Sequence, residues 1–171
     1  SDVTVTNASA TGAAANGVHV AGSDSVAVHD AEATDAGTGV RIADSAGVTV
    51  DAPSAMNVSY GVMLDGATDV SVTGASVEDA GEAGIASMSS SGVDLTDASV
   101  TDATYGIHLD GGAVNNLTDA SVVDSEYGIA AEGGAAVSYA AHNEVTNATN
   151  GFMFSGSATS GEFAMNDINA T

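Results

Sequence analysis

Apolar and polar residues alternate with period two along most of the chain, and glycine interrupts the alternation at regular intervals. A Gly followed by a β-branched or aromatic residue recurs at Gly17-Val18, Gly39-Val40, Gly61-Val62, Gly84-Ile85, Gly106-Ile107, Gly128-Ile129 and Gly151-Phe152. The steps are 22, 22, 23, 22, 22 and 23 residues, which marks an internal repeat. Each period holds three short alternating segments. The first is Gly-Val-His-Val over 17–20, Gly-Val-Arg-Ile over 39–42, Gly-Val-Met-Leu over 61–64 and Gly-Ile-His-Leu over 106–109. The second is Val26-Ala27-Val28, Val48-Thr49-Val50, Val70-Ser71-Val72 and Val93-Asp94-Leu95. The third is Ala75-Ser76-Val77, Ala98-Ser99-Val100 and Ala120-Ser121-Val122. Enrichment in β-branched residues, with Gly, Asp, Asn and Ser between segments, predicts strands. No apolar period of 3.6 residues runs long enough for a helix.

Three strands per turn, repeated about seven times in coils of 22–23 residues, predict an all-β parallel solenoid as a single domain over 1–171. Its core would stack Val18, Val40, Val62, Ile85, Ile107, Ile129 and Phe152 in one column. Val20, Ile42, Leu64, Ser87, Leu109, Ala131 and Phe154 form the column two residues on. One coil cannot bury its apolar side alone; stacking at about 4.8 Å creates a continuous core. A leucine-rich repeat would need Leu at every core position and a helical return. A calcium-binding nonapeptide solenoid would need its Gly-Gly-x-Gly-x-Asp repeat. The 22-residue coil and the Gly-[Val/Ile]-x-[Val/Ile/Leu] element resemble the right-handed parallel β-helix repeat family of pectate-lyase type. That family includes carbohydrate-binding and sugar-hydrolase repeat domains. The resemblance covers nearly the whole chain and implies the fold. It leaves function open, because the family spans enzymes, adhesins, viral spikes and surface proteins.

Charge changes the picture next. The 171 residues carry 23 Asp+Glu against a single Lys+Arg, a formal net charge of −22. Phosphate-backbone binding and attraction to anionic lipid are thereby excluded, so neither nucleic acid nor an anionic membrane is a partner. With 44% apolar residues the chain is no acidic disordered tail. The absence of Cys removes disulfide, iron–sulfur and thiolate zinc chemistry. No apolar run reaches the length of a membrane span, so no membrane insertion is expected. No basic segment followed by an apolar one opens the chain, and Ser1 reads as a mature or trimmed start. Such an excess of acid would repel itself severely at low salt, whereas molar salt shortens the Debye length to about 3 Å. The composition resembles that of proteins from extreme halophiles.

Any position repeated once per coil becomes a ladder. Asp35, Asn57, Asp79, Asp102, Asp124 and Asn147, with Asn169 beyond, form one; Asp and Asn favour left-handed turn backbone. Five Asn-x-Ser/Thr sequons, at Asn7, Asn57, Asn116, Asn147 and Asn169, are candidate glycan acceptors. Three of them coincide with the turn ladder. Asn116 stands out because alternation with Leu117 turns it outward, and Asn7 follows. Asp110 and Glu132 share a coil position one rung apart, roughly 5 Å, and either hold Ca²⁺ or form a salt-screened surface pair. No other cofactor is expected. His19 and His108 share a position four coils apart, too far for one metal, and read as surface residues. The outward row His19, Arg41, Met63, Ala86, His108, Ala130, Met153 holds no acid; it either packs on a partner or lies under loop cover. Its counterpart on the third segment, Ser9, Glu32, Ser54, Ser76, Ser99, Ser121, Glu144, is flat and small. Tyr60, Tyr105 and Tyr127 each precede a repeat Gly and serve either as sugar platforms or as turn packing.

The resemblance also frames an enzymatic reading. Lyases of the family pair a carboxylate calcium site with an Arg or Lys base, and nothing around Arg41 matches. Its hydrolases need clustered Asp with Gly-His-Gly and Arg-x-Lys elements, and neither element occurs. The chain therefore reads as a non-enzyme at the cell surface or outside the cell. One alternative is a glycan-binding adhesin or viral spike module; a second is a polysaccharide-processing enzyme of the same fold. The favoured reading is a filament or appendage subunit joined head to tail. Its interface would set Phe152, Phe154, Phe163 and Met165 at one end against Val3 and Val5 at the other. Salt provides the first test. Lowering molar salt to about 0.1 M lengthens the Debye distance to about 10 Å, and the melting temperature is expected to fall. An unchanged melting temperature overturns the halophilic reading.

Overall fold

A computed structural model describes residues 2–156 and 158–170. Ser1, Ser157 and Thr171 lie outside the described residues, and with them the trimmed start at Ser1 and the Thr of the Asn169 sequon. Eighteen parallel strands, numbered in chain order, wind into a solenoid with no helix among the described residues. One sheet stacks β1 (Val3–Thr6), β4 (Asp24–His29), β6 (Ala46–Asp51), β8 (Thr68–Thr73), β10 (Ser91–Thr96), β12 (Ala113–Thr118), β14 (Ala136–Ala141) and β17 (Thr159–Ala164). The other contains five long strands: β5 (Glu32–Ala43), β7 (Ser54–Asp65), β9 (Ser76–Met88), β11 (Ser99–Asp110) and β13 (Ser121–Glu132). It opens on β2 (Ser9–Thr11) and β3 (Asn16–Ala21) and closes on β15 (Glu144–Ala148), β16 (Asn150–Phe154) and β18 (Asp167–Ala170).

Two features refine the expectation. The first sheet has eight strands, so the solenoid has about eight turns rather than seven. The three short strands expected per coil are also two in the middle of the solenoid. There the third segment of one period runs unbroken into the first segment of the next, as in β11, where Val100 and Ile107 share a strand. The coil still has three sides, because each long strand bends once. Asp35, Asn57, Asp79, Asp102 and Asp124 sit at those bends, all with φ between 53° and 55°. Inter-rung hydrogen bonding persists on both sides of the bend, which keeps the strand continuous. Asn169 does not belong to this ladder. The last step is one residue longer, so Asp167 pairs Glu144 and Asn169 stands opposite Thr146.

The core columns fall where the alternation put them. Ile42, Leu64, Ile85, Ile107 and Leu109 are wholly buried, and one cluster runs from Val20 to Ala148. Ser87, between Leu64 and Leu109, is equally buried, and its hydroxyl has no hydrogen-bond partner among the described residues. The repeat glycine has a spatial cause. A Cβ on Gly61, Gly84, Gly106 or Gly128 would strike the γ-methyls of Val77, Val100, Val122 or Val145. It would also strike the carbonyl of the next repeat glycine. The missing side chain lets each corner tuck under the β-branched residue of the following rung.

The corner between the first sheet and the second carries a left-handed residue on every rung: Asn7, Asp30, Ala52, Gly74, Asp97, Asp119, His142 and Met165. On all but the last of these rungs the N–H group donates to a carbonyl one rung on, as from Ala52 to Thr73 (2.8 Å) and from Gly74 to Thr96 (3.0 Å). Left-handed backbone costs an ordinary L-residue roughly 1–2 kcal/mol, and glycine avoids it. Adjacent rungs therefore respond in opposite directions. Ala52→Gly is expected to raise unfolding free energy by about 0.5–1 kcal/mol, and Gly74→Ala to lower it by about 1 kcal/mol. A Cβ on Gly74 meets nothing closer than 3.8 Å, so the second effect isolates the backbone. Denaturant melts at constant molar salt check both signs.

Candidate functional site

The outer face of β9, β11 and β13 gathers the chain's densest chemistry. Register places Tyr105 beside Tyr127, and their rings stack at 4.7 Å and 13°. His108, three residues along β11, stacks on Tyr105 at 4.4 Å and 18°. Its Nε2 lies 3.4 Å from Glu132 Oε1. Glu132 in turn pairs in register with Asp110, as the shared coil position required. The Tyr105 phenol is held above its ordinary pKa, first by burial and then by Glu132, Tyr127, Glu126 and Glu82. His108 is a largely covered member of this stack rather than a surface residue; its side chain is 17% exposed. His19 is exposed.

Two members of the acid-free outward row are covered within the solenoid itself. Ala86 and Ala130 point outward yet have no exposed surface. In register, Ala86 lies between Met63 and His108, and Ala130 between His108 and Met153. Met63, His108 and Met153, the larger members of the row, flank the two buried alanines. Ala83, flanked by Tyr60 and Tyr105, is 1% exposed. The tyrosines divide accordingly. Tyr105 is engaged by His108 and Tyr127, whereas a sugar ring needs a free aromatic face. Tyr60 stands two rungs away.

Arg41 and two of the histidines face carboxylates across rungs. Arg41 donates to Asp65 at 2.8 Å; His29 lies 3.4 Å from Asp51 and His142 3.7 Å from Asp119. No group of three or more His, Asp or Glu placed to hold a metal ion occurs among the described residues. Asp110 Oδ1 approaches the Gly133 backbone, and Glu132 faces His108.

Three sequon amides are donors in rung ladders: Asn57 to Asp35 (2.5 Å), Asn116 to Asp94 (2.6 Å) and Asn147 to Asp124. Asn116 is exposed on β12 with Leu117 buried, as alternation required, and Asn7 is exposed at a left-handed corner. A second amide ladder escaped sequence reasoning. Asn143, 1% exposed, donates from Nδ2 to the Leu117 carbonyl and to Asn166 Oδ1, and accepts from the Ala120 N–H. The period of 23 between Asn143 and Asn166 was the available signal. A shallow groove of about 310 Å³ crosses the first sheet beside Thr49, Ser71 and Asp94.

At the C-terminal end Phe163 meets Phe152 and Phe154 edge-on, at 5.4 and 5.2 Å. Phe154, Phe163, Met165 and Ile168 remain exposed, and Val3 is exposed at the opposite end; Phe152 and Val5 are half-buried. A family profile described as a right-handed β-helix region matches residues 1–150. The chain belongs to the right-handed β-helix family. No curated protein and no solved structure matches it. The family holds both pectate-lyase-like enzymes and non-enzymes, so membership in the β-helix family fixes the fold and not a reaction.

Tyr105 gives this β-helix an alkaline limit. A phenol raised above its unfolded value of about 10 stabilises the fold fully below that pH, and the contribution is lost as pH rises through the folded value. The melting temperature is expected to drop above pH about 10 and Tyr105→Phe to lessen the drop. Melts across that range, with absorbance titration of the phenols, check this.

Proposed function

We propose that this chain is a non-catalytic structural module of a halophilic surface assembly outside the cell, joined end to end with a second copy. The observation that carries the reading is the C-terminal edge. Phe154 (40% exposed), Phe163 (37%), Ile168 (45%) and Met165 (73%) stand in or beside columns whose earlier members are buried. Val3, 47% exposed, stands at the opposite end of the first sheet. Every strand is parallel, so a copy displaced along the axis presents its β1 to β17 in the same direction. The bulky edge meets a half-buried Val5 and small Ala8 and Ala10. A contact between unlike ends propagates unless it closes.

A non-catalytic role is supported by the poverty of basic groups: the one Arg is held by Asp65. A charge of −22 supports a high-salt setting. The adhesive alternative draws less support, because Tyr105 is occupied by its neighbours. Sedimentation in molar salt is expected to show concentration-dependent association of the native chain. Phe154→Asp is expected to give folded single subunits, since it sets a charge in the contact. A native chain that stays monomeric at high concentration overturns the end-to-end reading.

A further inference from the structure

Of the four tyrosines, only Tyr105 and Tyr127 stand on neighbouring rungs of one column. Their rings lie nearly parallel with centroids 4.7 Å apart, which is one rung spacing. Both side chains are half-buried, and His108 also stacks on Tyr105. The other two tyrosines have no such neighbour. Ala83 separates Tyr60 from Tyr105 in the same column. Tyr139 lies on the first sheet, between Asn116 and Glu162. The fold therefore holds one pair of phenol rings in contact, from residues a full coil apart in sequence.

Phenols so placed can couple when oxidised. A one-electron oxidant takes an electron from each ring, and each hydroxyl loses its proton. The unpaired electron then spreads onto the carbons ortho to the oxygen. A tilt of two adjacent rings lets one such carbon of Tyr105 bond one of Tyr127. Each ring regains its aromaticity by passing its ortho hydrogen to its oxygen. One C–C bond forms, and the pair loses two hydrogens in all. The two electrons reduce one peroxide: hydrogen peroxide takes up two protons as well and leaves as two waters, whereas peroxodisulfate leaves as two sulfates. Glu132 and Glu126, whose charges the Tyr105 phenol feels, can receive the protons. Because the partner ring is already in place, coupling within the chain outruns encounters between chains.

We propose that Tyr105 and Tyr127 form an oxidative cross-linking site, where a peroxide-class oxidant joins β11 to β13 by a dityrosine bond within one chain. The bond closes a loop of one full coil and so staples two rungs, which lowers the entropy of the unfolded chain. The site is independent of how the ends associate. The probe is ruthenium tris-bipyridyl with peroxodisulfate under a flash of light, applied to the full chain in molar salt. The expected product has lost two hydrogens by mass, fluoresces as dityrosine and runs as a single chain on a denaturing gel. Cleavage after glutamate sorts the tyrosines: Tyr60 into 33–78, Tyr105 into 83–126, Tyr127 into 127–132 and Tyr139 into 133–144. Peptides 83–126 and 127–132 should emerge joined. Tyr105→Phe and Tyr127→Phe are each expected to cut the yield at least about tenfold while circular dichroism stays native, and Tyr60→Phe to leave it unchanged. Light should raise the melting temperature of the native chain and not that of Tyr127→Phe. Unfolded in guanidinium, the chain should instead favour Tyr127 with Tyr139, the pair nearest in sequence. No cross-link, linkage only between chains, a different joined pair, or the same preference in the unfolded chain overturns the proposal.

Discussion

Rung stacking at the β-sheet spacing of about 4.8 Å is the constraint from which the rest of this structure follows. Every residue meets its own equivalent one turn above and below, so one choice of residue is repeated as a column. A column of Val, Ile and Leu becomes core; a column of Asp and Asn becomes a corner. The repeat glycine exists because this spacing brings the β-branched residue of the following rung into the volume a Cβ would occupy. At the left-handed corners the backbone N–H reaches a carbonyl one rung on, so hydrogen bonding continues where the chain turns. Few backbone groups are left for solvent, except at the ends.

The same spacing governs electrostatics. Like charges in one column stand a rung apart, which makes an acidic solenoid costly unless salt screens it or polar groups intervene. Asn57, Asn116 and Asn147 intervene in this way, each donating its amide to an aspartate of the rung before. Arg41 and three imidazoles each face a carboxylate of the neighbouring rung: Arg41 with Asp65, His29 with Asp51, His108 with Glu132 and His142 with Asp119. A sequon in this setting has a structural role whether or not it carries a glycan.

Periodicity made the inward columns, the corner ladder and the pairing of Asp110 with Glu132 readable before any coordinates. Three features were not readable. The merging of two segments into one long strand depends on whether hydrogen bonding survives a bend, and residue types do not record that. Asn169 was misplaced because a period of 22 was carried across a step of 23, and the pairing of Asp167 with Glu144 corrects it. The acid-free row was left between partner packing and loop cover, and residue types could not foretell that Ala86 and Ala130 are fully buried within it.

What the sequence determined by itself is therefore the part that repeats: parallel strands, the solenoid, most of the core and the corner ladder from Asp35 to Asp124. These follow from residue type and spacing alone, because every coil solves the same packing problem. Tertiary structure decided what does not repeat. His108 chose to stack on Tyr105 and face Glu132, and Asn143 turned inward to bind Leu117 and Asn166. Phe163 turned edge-on to both Phe152 and Phe154. Side-chain direction and the closing of the last turn depend on neighbours that are close in space and a full coil away in sequence.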